Sequence, residues 1–238
     1  ILVAPSHGAH RADADAIFAY AEGYQVPYYM MFLETLTDTG FRGDVVLAIA
    51  DDWYIHSGVK EYLLQYTTGD ASRPNLVVYQ LHLDCDGAPD RRRTVMGRTK
   101  DTDVFQMCRL DDVYGYYEPT TGAHVPVPDP REGRVVATLR YEWYWIWCQR
   151  YRPEAWIMLV DARDTFFQSD PFANLPRTVA AATAPGRRRG LLYFFGENTN
   201  ATRLGRSRKN ALWLRTGYGI AVLDALEDKP TICSGSTM

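Results

Sequence analysis

Apolar positions in this chain fall into two kinds of stretch. Some are short unbroken runs, and others are longer segments in which they recur every three or four residues. The runs are DAIFAYA (Asp15–Ala21), DVVLAIA (Asp44–Ala50), NLVVYQLHL (Asn75–Leu83) and AWIMLV (Ala155–Val160). Each reads as a strand buried on both faces, as in a parallel sheet. Between the first two, VPYYMMFLETLTDTGF has Pro27 at a helix start, and Tyr29, Phe32, Leu33 and Leu36 form one face. Gly40 and Gly43 close that helix. Between the second and third, SGVKEYLLQY offers Ser57 as a cap, with Val59, Tyr62, Leu63 and Tyr66 at helical spacing. Strands alternating with helices need right-handed crossovers. The expected fold is α/β: an open, mostly parallel sheet with helices on both faces. Its ligand crevice belongs at the carboxyl ends of the strands.

Periodicity is lost over about 84–134, which is rich in Asp, Arg, Gly and Pro and reads as an irregular insertion. One short helix is expected there, at DVFQMCRL (Asp103–Leu110). VVATLRYEWYWIWCQRY (Val135–Tyr151) predicts a helix with Trp143, Trp147 and Tyr151 on one face, and its Trp143, Tyr144, Trp145, Trp147 cluster reads as core packing rather than as a sugar-stacking platform. GLLYFFG (Gly190–Gly196) predicts a fifth strand and PTICSGSTM (Pro230–Met238) a sixth. Between them, KNALWLRTGYGIAVLDALED predicts one helix, or two broken near Gly217-Tyr218-Gly219. The whole reads as a single domain, 1–238. Because it opens on Ile1 and not Met, it is expected to be a fragment of a longer product. A secretory-pathway or Golgi-lumen setting would follow if the full chain carried an N-terminal anchor.

The formal net charge of −3 argues against a nucleic-acid groove. Four scattered cysteines with no C-x-x-C pair argue against a zinc site but leave one or two disulfides open. No histidine pair has H-E-x-x-H spacing. No G-x-x-x-x-G-K-[ST] loop, no G-x-G-x-x-G after the first strand and no G-x-S-x-G elbow occurs. ATPase, NAD-linked and serine-hydrolase readings lose their support.

Chemistry concentrates in WIMLVDARDTFFQSDPF (Trp156–Phe172), where a buried run stops at Asp161 and then meets Arg163 and Asp164. A strand end delivers side chains to one place with little freedom. Two carboxylates there suit a hard divalent cation, which keeps positions open for phosphate oxygens. The structural alternative is that Asp161 caps a turn and Asp164 pairs with a nearby arginine. Rival acidic pairs occur at Asp51-Asp52, Asp84-Cys85-Asp86 and Asp101-Thr102-Asp103.

Arg140 within LRYEWYW, then IMLVDARD, then FFQSDPF, all behind a βαβ opening, resemble the metal-dependent glycosyltransferases of the GT-A fold. The wording D-A-R-D-T-F-F-Q-x-D-P-F after DPREGRVVATLRYEWYWIW resembles a eukaryotic group of GT-A-like proteins. The likeness runs from about Asp15 to the end and is strongest from Arg140 to Phe172. It implies a Rossmann-like GT-A domain. The implied reaction moves a sugar from a UDP- or GDP-linked donor to a glycan, protein or lipid acceptor, with Mn²⁺ or Mg²⁺. Asp161 and Asp164 would hold the metal. Tyr20, Ala21, Glu22, Asp51, Arg140 and Arg163 would meet the nucleotide sugar, with Asp52 a further candidate. Glu197, Ser234, Gly235 and Ser236 would face sugar and acceptor. The family's motif is D-x-D, whereas here it is D-x-x-D with Arg163 in the second acid's place. Two alternatives stand beside this one. One is a non-catalytic nucleotide or sugar binder on a degenerate transferase fold. The other is a metal-dependent phosphatase-like hydrolase, for which the second acid of DARDT comes one place late.

Overall fold

In the computed structural model the first apolar run becomes β1 (Ala16–Tyr20), with every residue buried. The structure describes residues 5–50, 55–67, 70–81, 83–85, 107–110, 115–177, 192, 194–196 and 203–237. The chain divides into two compact units, Ile1–Thr178 and Val179–Met238.

After β1 come α1 (Val26–Asp38), β2 (Asp44–Ala50), α2 (Val59–Tyr66) and β3 (Asn75–Leu81). The buried face of α1 is Tyr29, Phe32, Leu33 and Leu36, the four positions the spacing selects. Gly40 stops it with φ of +83°, a left-handed conformation that disfavours a Cβ. The start of α2 differs from expectation. Its N-cap is Gly58, at φ 82°, and no side chain caps it. Ser57 lies one position too early for its hydroxyl to serve as the N-cap acceptor.

The run Asn75–Leu83 does not stay one strand. β3 ends at Leu81, and Leu83 opens β4 (Leu83–Cys85) in a different sheet. The helix expected at Asp103–Leu110 is corrected where it is described. Met107–Leu110 is β5, antiparallel to β4. Cys108 and Leu110 are buried while Met107 is exposed, a strand's period of two. Residues 103–106 lie outside the described residues. A Cys85–Cys108 disulfide ties the two strands together.

β6 (Gly115–Tyr117) and β7 (His124–Pro126) form a hairpin, and β8 (Arg134–Val135) joins the free side of β5. Just before β8, buried Asp129 accepts hydrogen bonds from Arg131 and Arg134, which also reach Glu142. The ion cluster pins the insertion to the helix that follows, α3 (Val136–Cys148). After α3 comes β9 (Ile157–Val160).

The main sheet of the first unit is parallel, in the order β9-β1-β2-β3. One face carries Phe18, Tyr20, Val46, Ala48, Val77, Tyr79 and Leu81, packed against Leu139, Trp143, Tyr144, Ile146 and Trp147 of α3. Trp143, Tyr144 and Trp147 lie in the core as expected, with Tyr151, but Trp145, expected there too, is 59% exposed because its helical position turns it away from the sheet. Strand alternation turns Ile49 and Val78 to the opposite face, where they line a hollow with Leu63 of α2. The unit is thus α/β, with four parallel strands flanked by helices, consistent with a Rossmann-like fold.

In the second unit β10 (Phe194–Gly196) and β11 (Ile232–Thr237) pair antiparallel. Between them lie α4 (Arg208–Tyr218), capped by the Ser207 hydroxyl, and α5 (Ile220–Leu226), with Gly219 as the break. Among the described residues no helix is long and apolar enough to cross a membrane.

Candidate functional site

The chain steps outward from β1 to β2 and β3, then returns to the other side of β1 as β9. That reversal makes the β1–β9 junction the topological switch point, where open α/β sheets bind ligands beyond their strand ends. Ala19 pairs with Val160, so Tyr20–Glu22 and Asp161–Asp164 leave the sheet side by side.

α3 supplies the next layer. The Tyr144 hydroxyl accepts the backbone N–H of Tyr20 at 3.0 Å. One turn earlier, Arg140 donates from Nη1 to Asp161 Oδ1, and the two form an ion pair. Its guanidinium also lies 5.1 Å from the Tyr141 ring centroid. Burial opposes the Arg140 charge, but Tyr144 and Asp161 outweigh it and hold its pKa above the usual arginine value. Arg140 is 12% exposed and Asp161 34%, so the pair has a rooted cation and an anion facing water.

Asp164 sits one turn beyond Asp161, with its N–H 3.3 Å from the Asp161 carbonyl. Arg163 grips it with two hydrogen bonds, at 2.9 and 3.2 Å, and both side chains are exposed. Tyr24 completes this side. Burial first, then the Asp161 carboxylate, pushes its phenol up to about 12.

The end of β1 is already engaged by protein. Tyr20 donates its hydroxyl to Glu22 Oε2 at 2.6 Å, and both residues are buried. Burial, then Glu22, raises the Tyr20 pKa well above its usual value. Ala21 gives its N–H to Ala48 and receives the Tyr29 hydroxyl on its carbonyl. Of this trio, Ala21 therefore has both backbone groups in use within the fold.

Of the other expected residues, Asp51, Asp52 and Glu197 lie outside the described residues. Ser234, Gly235 and Ser236 lie within β11, in the second unit. Of the rival acids, Asp84 is on β4, in a separate sheet. The sequence does not single out Tyr24 or Tyr141 for the site, and it marks Tyr144 only as core packing. The signal for Tyr144 was there, since it stands four residues after Arg140 on a helix and so shares its face.

Among the described residues no group of three or more His, Cys, Asp or Glu side chains could hold a metal ion. Asp161 and Asp164 are two carboxylates on one turn, each paired with an arginine. Arg140 and Arg163 compete for those carboxylates.

No family model matches this chain, and no curated protein or solved structure matches it at a significant level.

Proposed function

We propose that this chain is a nucleotide-sugar-dependent glycosyltransferase domain. The observation that carries the reading is the meeting of Asp161, Arg163, Asp164 and Arg140 at the β1–β9 switch point. Asp161 and Asp164 would hold Mn²⁺ or Mg²⁺, which supplies charge neutralisation for a departing nucleoside diphosphate. Arg163, exposed and next to both acids, would meet phosphate oxygens, for which a guanidinium fork is well shaped. Arg140, rooted in α3, would keep the mouth in place while the Tyr24 side borders the nucleoside. The family resemblance over Arg140–Phe172 agrees with this arrangement in residue type and order.

Calorimetric titration with UDP and GDP, in Mn²⁺ and in EDTA, tests it. One of the two nucleotides should bind at least about tenfold more tightly with metal. Asp161→Ala should abolish that gain while the circular dichroism spectrum stays unchanged. A folded wild-type chain that binds neither nucleotide in Mn²⁺ would sink the reading.

A second reading has its own support. Each acid already has an arginine against it, so the site is internally neutralised. A transferase fold that binds nucleotide sugar without metal would look this way. The same titration separates the two, because such a protein binds equally well in EDTA.

A further inference from the structure

The outer face of α3 begins at the mouth. Tyr141 is 39% exposed beside Arg140, whose far end holds Asp161. Four residues on, Trp145 is 59% exposed, the largest indole surface among the tryptophans whose exposure is described. The two rings are one helical turn apart, about 6 Å along the axis. α3 runs away from the mouth, because Arg140 and Tyr144 meet the ends of β9 and β1 while Trp147 packs on Phe18, deeper in the sheet. Tyr141 and Trp145 therefore form a ridge that leads out from Asp161.

We propose that this ridge is a carbohydrate platform, and that the acceptor at the mouth is the end of an oligosaccharide lying along α3. The inference rests on the transferase reading above. An aromatic ring offers an apolar face and, in Tyr and Trp, a polar edge. A sugar ring offers the complement: a flat C–H face rimmed by hydroxyls. One turn of helix spaces two rings roughly as neighbouring sugars in an extended glycan. The stripe is polar at both ends: Thr138 is exposed on α3, and Gln149 is exposed just past the end of the helix. Two rings separated along such a surface make a poor protein interface, which needs a continuous desolvated centre. Burial in the core does not explain them. Trp143 and Trp147 fill that role at 2% and 0% exposure, while Trp145 points the other way.

The test is a printed array of cello-, chito-, manno- and galacto-oligosaccharides, probed with the fluorescently labelled chain without nucleotide or metal. The wild type should be retained by at least one series. Trp145→Ala should weaken that retention by about tenfold or more, the cost expected of losing a central aromatic contact. Tyr141→Ala should weaken it as well. Leu64→Ala, at an exposed apolar position on α2, should leave it unchanged. A folded wild type retained by no spot, or a Trp145→Ala chain retained as well as the wild type, overturns the proposal. UDP and GDP calorimetry on the same samples separates the failures. Nucleotide binding without glycan capture sinks the ridge alone. Capture that depends on Trp145, without nucleotide binding, keeps the ridge as a carbohydrate site but sinks the transferase reading and, with it, the acceptor's place at the mouth.

Discussion

The two ends of the parallel sheet each hold a strand aspartate beside an arginine, and they use it in opposite ways. At the amino end, Asp44 opens β2 with its side chain 0% exposed. It accepts the Arg11 backbone N–H and Nε at 2.8 and 2.7 Å, Asn75 Nδ2 at 2.9 Å and the Tyr151 hydroxyl at 2.9 Å. Those bonds occupy the carboxylate's acceptor sites. Tyr151 spends its proton on Asp44, so it accepts from His10 Nδ1 at 2.8 Å, and His10 Nε2 accepts the Tyr79 hydroxyl at 2.7 Å. The direction of every bond in that chain is determined. At the carboxyl end, Asp161 meets one arginine, keeps a third of its surface in water and has Asp164 a turn away. A carboxylate consumed by its own fold holds the sheet together. One left partly solvated at a switch point is available to a ligand.

The largest effect should come from breaking the amino end. Asp44→Ala would strand the buried Tyr151 hydroxyl and take the carboxylate away from Arg11 and Asn75. Removing one partner of such a network typically costs about 3–5 kcal/mol. Urea unfolding should show it, with Asp44→Asn losing less because its shape is kept. A cost below about 1 kcal/mol would erase the contrast between the two ends.

Much of the fold was legible because its signals are local. The buried face of α1 and the unbroken runs of β1, β2 and β9 follow from spacing within a dozen or so residues. The small antiparallel sheet was not legible. Its strands β4, β5 and β8 are too short to show a period, and the partner of Cys85 lies 23 residues away, across a sequence with no hydrophobic period. The same limit applies to polar networks. Asp44 draws on Arg11, Asn75 and Tyr151, and nothing near DVVLAIA indicates that its acid is a structural hub. The mouth was easier, since Asp161 stops a buried run and Arg140 stands out on an aromatic helix. Its pairing of Arg140 with Asp161 appeared only once β9 was set beside β1.

A smaller effect separates the ends by pH. Burial outweighs the attraction of Asp44 and lowers the His10 pKa to about 4. The unfolded value is near 6.5. The unfolded chain thus takes up the proton first, so this group's contribution is complete above about pH 6.5 and is lost progressively down to about 4. Urea midpoints should fall between pH 7 and 5, and His10→Gln should flatten that slope. Asp129 does not interfere in this window. Burial would raise its pKa, but hydrogen bonds from Arg131 and Arg134 bring it down to about 2, so its contribution fades only below about pH 4. A slope unchanged in His10→Gln would mean that the neutral imidazole is not what holds Tyr79 to Tyr151.

The smallest change in stability should come from the other end, and its smallness is informative. Asp161→Asn removes the charge facing Arg140 but keeps an oxygen in place. Arg140 retains the Tyr141 ring and hydroxyl as company. Partly exposed ion pairs are worth about 0–1 kcal/mol, so urea unfolding should place this variant within that range of the wild type. The same substitution should remove any metal-dependent gain in UDP or GDP binding, since an amide is a poor ligand for a hard cation. Little stability lost with much binding lost is what an acid kept for a ligand should show. A cost near 3 kcal/mol would instead put Asp161 in the same class as Asp44, a buried anion whose work is to hold α3 against β9. The acidic mouth would then be architecture, and the search for a ligand would move to other residues around the switch point.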